Sequence, residues 1–233
     1  MIYTFWEGIM PAYIKLCLET WTMPYVVLNY SNLHNYTDFV VTPKLTQYTL
    51  PMIADCVRVH VLRDQGGYWL DADTIILGDL PKENITGDPL TRTNSIGLLN
   101  TEKGSDMFKA WADYQDDILK GNHPYRWDLF GNAFTDGYIK THPEITIHPI
   151  EDYQPERALI GKSRSEKYIR FYFENSYHLK DIKCDLLMLH NSWTPSEYSR
   201  LTETEVLRKN CTMSNILKEI LNGPDIRVHD RKR

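Results

Sequence analysis

The pattern of apolar and polar positions at the start of the chain predicts a strand, a helix and a second strand. Residues 1–6 alternate as in a strand, and Pro11 begins an amphipathic stretch that continues to position 20. The apolar run over residues 25–30 predicts another strand, and its uninterrupted apolar character predicts that it is buried. This order and spacing are typical of a parallel α/β sheet.

The clearest helix covers residues 51–64. Pro51 suits the first helical turn, and Gly66 and Gly67 can supply the left-handed conformation that ends a helix. A buried stripe at steps of four residues is formed by Ile53, Val57 and Val61. Residues 68–70 then resume an extended strand that leads into Asp71-Ala72-Asp73 and the apolar segment 74–77.

The remaining pattern predicts strands at 95–99, 145–148 and 186–189 and helices at 105–119, 129–140 and 212–221. No internal repeat or low-complexity linker interrupts the chain. We therefore expect a single α/β/α domain over residues 1–223 with a central mixed, mostly parallel sheet, followed by a basic tail at 224–233.

Composition and charge narrow the possible functions. The 233 residues carry a net charge of −5, which argues against a protein that binds nucleic acid by neutralising phosphates. No apolar run approaches the length of a membrane span, and no signal peptide is visible at the N-terminus. We expect a cytoplasmic protein, with at most peripheral contact at the inner face of a membrane.

Asp71 and Asp73 carry the chemistry that the sequence suggests first. On an extended chain, two carboxylates one residue apart project to the same side. They follow an apolar strand, and open α/β sheets bind ligands at the carboxyl ends of their strands. Such close acids repel each other unless a cation lies beside them, and Mg²⁺ or Mn²⁺ prefers oxygen ligands of this kind. A turn with two solvated acids is the alternative interpretation.

A longer pattern surrounds these acids: Ala54-Asp55-x-x-Arg58, then Leu62, then Gly66-Gly67-x-Trp69-Leu70-Asp71-x-Asp73. It resembles the DXD-containing sugar-transferase superfamily, which includes capsular-polysaccharide-synthesis transferases, yeast Golgi initiating mannosyltransferases and glucosylating bacterial toxins. The segment Phe5-Trp6-Glu7-Gly8 and the residues after it are particularly similar to the capsular branch. The resemblance covers residues 1–80 well and is loose beyond them.

This resemblance implies a GT-A fold, a nucleotide-sugar donor, a divalent metal ion and retention of anomeric configuration. By position, Trp6 would stack on uracil, Asp55 would bind hydroxyl groups of the donor sugar, and Arg58 would bridge sugar and diphosphate. Asp71 would contact ribose and metal, and Asp73 would bind the metal directly. An ordinary core tryptophan at position 6 and a simple helix salt bridge between Asp55 and Arg58 are the alternatives.

The segment His190-Asn191-Ser192-Trp193 resembles the closing segment of the same superfamily. A late His would complete the metal shell there, and Ser192 and Trp193 would cover the diphosphate. His190 lies two residues before Ser192, whereas the histidine is farther from the serine in the superfamily pattern. The alternative to a metal ligand at this position is therefore a structural or hydrogen-bonded histidine. Imidazole ligation would favour Mn²⁺ over Mg²⁺.

Two further polar residues follow predicted elements. Asp128 could steer an acceptor hydroxyl or brace the reacting sugar carbon, or it could cap the helix predicted at 129–140. Asn100 follows the strand predicted at 95–99, and we expect it to contact the donor sugar.

The sequence therefore predicts a metal-dependent glycosyltransferase that moves a sugar from a UDP-sugar to an oligosaccharide or lipid-linked saccharide acceptor. The expected setting is synthesis of a surface polysaccharide such as a capsule. The first alternative is a catalytically silent nucleotide-sugar or carbohydrate-binding protein of the same fold. The second is a DxD phosphohydrolase, whose D-x-D-x-T motif is not met because Thr74 follows Asp73 directly.

Overall fold

A computed structural model describes residues 1–82, 85–89, 93–150 and 165–223. The backbone divides into two compact units. The first contains Met1–Glu7, Met23–Asp71 and Pro81–Ile150, and the second contains Gly8–Thr22, Ala72–Leu80 and Glu151–Arg233. The single domain over residues 1–223 stays a prediction, and the basic tail at 224–233 lies outside the described residues.

The eight strands of the described residues are β1 (Ile2–Phe5), β2 (Tyr25–Leu28), β3 (Gly67–Leu70), β4 (Thr74–Ile76), β5 (Ile85–Asp88), β6 (Thr93–Thr101), β7 (Ile147–Pro149) and β8 (Leu186–Met188). The α-helices are α1 (Ala12–Glu19), α2 (Leu50–Gln65), α3 (Asp106–Lys120), α4 (Asn132–Thr141), α5 (Ser165–Ile169), α6 (Glu203–Arg208) and α7 (Thr212–Asn222). None of these helices combines the length and the apolar character that crossing a lipid bilayer requires.

The first unit is built on one six-stranded sheet in the order β2-β1-β3-β6-β5-β7. Strand β1 pairs in parallel with β2 and β3, and β5 pairs in parallel with β7. Strand β6 runs antiparallel to both of its neighbours, β3 and β5. The predicted α/β architecture with a mixed, mostly parallel sheet is confirmed.

Strand β2 is only partly buried, so the prediction of a buried second strand is wrong. It lies at one edge of the sheet, where Tyr25 is 40% exposed and only Leu28 is fully buried. An uninterrupted apolar run does not distinguish an edge strand from a central one, because the edge position depends on the order of strands in the sheet.

Helix α2 forms the centre of the first unit's core, and its predicted stripe is buried at all three positions, Ile53, Val57 and Val61. The helix ends as predicted, with Gly66 at φ 67° and Gly67 at φ 91°. A Cβ at Gly66 would stand 2.5 Å from the Lys103 nitrogen, and one at Gly67 would stand 2.7 Å from the Met1 oxygen. Both positions therefore require glycine for conformation and for space.

In the second unit, β4 and β8 form a two-stranded antiparallel sheet in which Thr74 pairs with Met188 and Ile76 with Leu186. Helix α1 is tied to this ribbon at its C-terminal end. The Trp21 indole Nε1 donates to the Thr74 carbonyl at 2.8 Å, and the Thr20 hydroxyl accepts the Ile76 N–H at 3.0 Å.

The sequence pattern missed β5, α5 and α6. Strand β5 has the sequence Ile-Thr-Gly-Asp, which carries one large apolar residue and looks like a loop. Its pairing with both β6 and β7 makes it a strand, although its own residues do not favour one. Tertiary pairing overrides local propensity at this position.

His60 on α2 is a buried imidazole without a hydrogen bond. It is 2% exposed and stacks on Phe39 with ring centroids 4.1 Å apart, and neither ring nitrogen has a hydrogen-bond partner in the described part of the chain. Burial lowers the pKa of His60 from 6.5 to about 4, and the neighbouring Arg63 acts in the same direction.

We expect His60 to make the protein less stable as the pH falls from about 6.5 to about 4. Between these pH values His60 binds a proton in the unfolded chain but not in the folded chain, because its pKa is lower in the folded state. Protonation therefore favours the unfolded chain. At pH 5 the free energy of unfolding should be lower than at neutral pH by roughly 2 kcal/mol because of this group. His60→Phe keeps the aromatic stacking and should remove this part of the pH dependence of the free energy of unfolding, measured with urea at pH 7.5 and pH 5.

His34→Phe is the matched control, because His34 is exposed and should leave that pH dependence unchanged. An equally steep loss of stability in His60→Phe would show that His60 is not its source.

Candidate functional site

Trp6 and Asp71 lie at the same edge of the first unit's sheet. Trp6 directly follows β1, and Asp71 directly follows β3, and these two strands are parallel neighbours with Tyr3 opposite Trp69. The Trp6 N–H donates to the Leu28 carbonyl at 2.9 Å, which fixes the backbone at the end of β1. Trp6 and Asp71 therefore lie at the carboxyl ends of their strands, as the sequence predicts, and the structure shows in addition that the two strands are neighbours.

The Trp6 indole nitrogen is buried and has no hydrogen-bond partner among the residues that the structure describes. The ring as a whole is half-buried. It is therefore neither a fully enclosed core tryptophan nor an exposed one. Its stacking on a base stays a prediction.

The Arg58 guanidinium lies buried between two carboxylates. Its Nη2 is 3.0 Å from Asp55 Oδ1 and 3.3 Å from Asp71 Oδ1, and its side chain is 6% exposed. Its Nη1 donates to the Ile96 carbonyl, and its carbon Cζ lies 5.0 Å from the centre of the Trp69 ring. The ion pair is therefore part of a buried network that joins α2 to β3 and β6, unlike an exposed pair on a helix surface.

The two acids of this network differ in environment. Burial raises the pKa of Asp55 from 3.8 to about 7; Arg58 opposes this rise and Asp71 adds to it. Asp71 is more open, with 36% of its side chain exposed, and its Oδ1 also accepts the Trp69 indole N–H at 3.0 Å. Asp55 can therefore carry a proton near neutral pH, while Asp71 reaches solvent.

A loop before α4 approaches Asp55 closely at Gly131. A Cβ there would stand 3.2 Å from Asp55 Oδ2 and 2.5 Å from Ile96 Cδ1. The loop is fixed by Gln115 on α3, whose amide donates to the Phe130 carbonyl at 2.6 Å and to the Asp55 carbonyl at 3.1 Å. Glycine at position 131 therefore lets the loop backbone pack against Ile96 and the Asp55 carboxyl, where a side chain would collide.

Asp128 belongs to the same loop, but its side chain does not cap α4. Its carboxylate is bound by Arg126 at 2.7 and 3.1 Å, and the N-cap position of α4 is Gly131. Only the Asp128 backbone carbonyl serves the helix start, accepting the N–H groups of Gly131 and Ala133 at 3.0 Å. The helix-capping interpretation of this side chain is wrong, and its role towards an acceptor stays a prediction.

Asn100 lies away from Asp71. Because β6 runs antiparallel to β3, Asn100 pairs with Tyr68 near the start of β3, while Asp71 at its end donates its N–H to the Gly97 carbonyl. The Asn100 amide donates to the Lys82 carbonyl at 2.9 Å. The structure does not bring Asn100 to the edge of the sheet where Trp6 and Asp71 lie.

Asn94, near the start of β6, does lie towards that edge, and the sequence pattern did not single it out. Asn94 Oδ1 accepts the Thr135 hydroxyl at 2.9 Å, and the Asn94 carbonyl accepts the Asn132 amide at 2.9 Å. The amide nitrogen of Asn94 is buried without a partner in the described residues. The signal that could have found it is the antiparallel direction of β6, which a single sequence does not reveal.

Asp73 belongs to the second unit, and the chain is not extended before it: residues 72 and 73 form a turn between β3 and β4. The premise that Asp71 and Asp73 share one extended segment is therefore wrong. Asp73 is 7% exposed, its carbonyl accepts the Leu189 N–H at 3.0 Å, and its Oδ2 accepts the Asn191 N–H. A fully solvated acid at position 73 is excluded by this burial.

His190 has a left-handed backbone, with φ 52° and ψ 75°, and it is the only described residue other than glycine with positive φ. Its ring centroid lies 4.7 Å from those of Tyr168 and Trp193. Trp193 also contacts Tyr168, while Ser192 is exposed in the same short helical turn. The structure thus brings His190 and Trp193 together in one aromatic cluster.

The donor chemistry of the DXD acids suits a hard divalent ion. Over the described ranges, no group of three or more His, Cys, Asp or Glu side chains could hold a metal ion by itself. A Mg²⁺ or Mn²⁺ ion that binds with a diphosphate needs only one or two protein carboxylates, because phosphate oxygens and water complete its shell. Asp71 and Asp73 are donors of this type, and ligation by His190 stays a prediction.

Comparison with known proteins confirms the resemblance on which the functional prediction was based. The sequence model of the family described as "Capsular polysaccharide synthesis protein" matches residues 1–219. A solved structure described as "PaToxG Glycosyltransferase" is similar over 61% of this chain and 68% of its own, with 16% identity and a TM-score of 0.45. No curated protein matches the chain. The family relation supports sugar transfer in polysaccharide synthesis.

Replacing Arg58 should raise the pKa of Asp55 further. Arg58→Met removes the positive charge that stabilises the Asp55 carboxylate and keeps a chain of similar length, so burial acts unopposed. We expect a rise above 7 of about one pKa unit or more, measured by ¹³C NMR titration of the Asp55 carboxyl. Arg63→Met on the same helix is the control, since Arg63 pairs with Asp64 and Asp38. An unchanged Asp55 pKa in Arg58→Met would contradict the electrostatic coupling.

An alanine variant is usually more stable than a glycine variant at the same position. The left-handed backbone at position 190 should reverse this order of stability. His190→Gly and His190→Ala both lose the ring contacts, so their difference reports only the backbone. We expect His190→Gly to be more stable than His190→Ala by about 1 kcal/mol in urea unfolding, because glycine adopts positive φ without a Cβ clash. Equal stability, or a more stable alanine variant, would show that position 190 does not require this conformation.

Proposed function

We propose that this chain, which belongs to the capsular polysaccharide synthesis family, is a metal-dependent glycosyltransferase that uses a UDP-sugar donor. The acceptor is a hydroxyl of an oligosaccharide or lipid-linked saccharide. The observation that carries the proposal is the buried Arg58 network with Asp55 and with Asp71, which lies at the carboxyl end of β3 and two residues before Asp73.

The network suits recognition of a sugar bound to a diphosphate. Because the pKa of Asp55 is about 7, its carboxyl group exists in both protonation states near neutral pH. The carboxylate accepts hydrogen bonds from sugar hydroxyls, and the protonated form donates one to them. Arg58 holds both Asp55 and Asp71 in place, and its guanidinium would bridge the sugar and the diphosphate. Trp6 offers an apolar face at the same sheet edge, and a uracil ring can stack on such a face.

Asp71 and Asp73 would hold the divalent ion, Mn²⁺ or Mg²⁺, through their carboxylate oxygens. When bound, such an ion neutralises the charge that develops on a leaving diphosphate. The chain's own contribution is orientation: Arg58 and the Trp69 indole fix Asp71, and the Leu189 and Asn191 amides fix Asp73. Ser192 and Trp193 would cover the diphosphate and keep water from it.

We further propose that the transfer retains the anomeric configuration. In a front-face transfer the acceptor hydroxyl forms its bond to the sugar carbon on the side from which the diphosphate leaves. The departing phosphate oxygen takes the hydroxyl proton, so no strong protein base is needed. Asp128, on the loop before Gly131, would orient the acceptor hydroxyl.

The experiment is a panel of UDP- and GDP-sugars incubated with the protein and Mn²⁺, Mg²⁺ or EDTA, with release of free nucleotide as the measurement. We expect slow, metal-dependent UDP release from at least one UDP-sugar, because active transferases hydrolyse donors in the absence of acceptor. Binding of UDP without release would favour the catalytically silent binder instead. Release of inorganic phosphate from an added phosphomonoester, without UDP release from any UDP-sugar, would favour the phosphohydrolase.

Asp73→Asn should lower metal-dependent UDP release by roughly a hundredfold, because it removes one negative charge that stabilises the ion. The fold should persist, since the amide is similar in size and its oxygen can still accept the Asn191 N–H. Asp79→Asn, at an exposed acid of the same unit, is the matched control and should release UDP at the wild-type rate. Unchanged release in Asp73→Asn would remove the metal role of this residue.

A further inference from the structure

Asp73 is fixed within the second unit by the segment that follows β8. Strand β8 ends at Met188, and the next residue, Leu189, donates its N–H to the Asp73 carbonyl at 3.0 Å. The left-handed residue His190 then bends the chain. As a result, the following N–H, that of Asn191, meets the Asp73 carboxylate at Oδ2. One turn therefore binds both the main chain and the side chain of this acid.

The Asn191 side chain is itself anchored by Tyr13. The Tyr13 hydroxyl donates to Asn191 Oδ1, although the two residues are 178 positions apart in the chain. Tyr13 is 2% exposed on α1, whereas Asn191 is exposed and would otherwise sample several rotamers. The same helix is joined to β4, next to Asp73, through Trp21 and Thr20.

We infer that Tyr13 and Asn191 are positioning residues for Asp73. Tyr13 holds the Asn191 side chain, and this keeps the Asn191 N–H on the carboxylate and so limits Asp73 to one orientation. A carboxylate that is already oriented loses less rotamer freedom when it binds a divalent ion. The inference rests on the proposed function for its consequence, which is tighter metal binding, but the clamp itself exists without a metal.

The test compares Tyr13→Phe, Asn191→Ala and the double variant with the wild type. Tyr13→Phe removes only a hydroxyl, and Asn191→Ala removes an exposed side chain while keeping the backbone N–H. Tyr177→Phe is the matched control, because Tyr177 lies in the same unit and its described ring contact with Phe171 does not involve the hydroxyl.

The first measurement is hydrogen exchange of the Asn191 amide in metal-free protein, followed by ¹⁵N NMR. We expect both single variants to exchange this amide faster by about tenfold, since its hydrogen bond opens more often. The exchange of amides in α7 should stay unchanged, which separates loss of the clamp from general unfolding. If the backbone amide of residue 191 exchanges at the wild-type rate in both variants, the clamp is overturned.

The second measurement is the affinity for Mn²⁺ in the presence of UDP, followed by the electron paramagnetic resonance signal of free Mn²⁺. Loss of a group that orients a metal ligand should weaken binding by about tenfold. The double variant should bind no more weakly than the weaker single variant, because the two residues act through one hydrogen bond.

The two proposals fail in different ways. Wild-type protein that binds no Mn²⁺ with UDP would contradict the metal site of the proposed function, and the amide-exchange result would still decide the clamp. Wild-type affinity in Tyr13→Phe and Asn191→Ala, with a normal metal site in the unsubstituted protein, would overturn the positioning role alone.

Discussion

The buried guanidinium of Arg58 is the interaction on which the arrangement of the first unit's acids depends. A buried cation is tolerated only when its hydrogen-bond donors and its charge are satisfied, and Asp55, Asp71 and the Ile96 carbonyl satisfy them. These partners come from a helix, from the end of one strand and from another strand. One side chain therefore links α2 to the carboxyl end of β3 and to β6.

The two acids of the DXD motif are oriented by different means. Side chains hold Asp71, through Arg58 and the Trp69 indole, and its remaining surface faces solvent. Main-chain amides hold Asp73, which is buried. A turn at residues 72 and 73 separates these two environments. The two carboxylates of the motif thus differ in burial and in the groups that hold them, although the sequence shows two equivalent acids.

The sequence predicted most clearly the helix whose start, buried face and end all carry local signals. Helix α2 follows from its apolar pattern, Pro51 and the two glycines that end it. Helix α6 was missed although Thr202 and Glu205 form a capping box, so that signal was available. The exposure of β2 and the left-handed backbone of His190 gave no local signal. The exposure of β2 depends on the order of strands in the sheet. The positive φ of His190 occurs at a residue type that does not usually adopt this conformation.

The reversed direction of β6 has a consequence for interpreting related sequences. In the parallel strands β1 and β3, the residues at this edge of the sheet come after the strand, as Trp6 and Asp71 do. In an antiparallel strand inserted into the same sheet, they come at the start of the strand, which is why Asn94 lies towards this edge and Asn100 does not. A search for specificity determinants in this architecture should therefore begin with the first residues of the fourth strand in the sheet order, and Asn94 is the example in this chain.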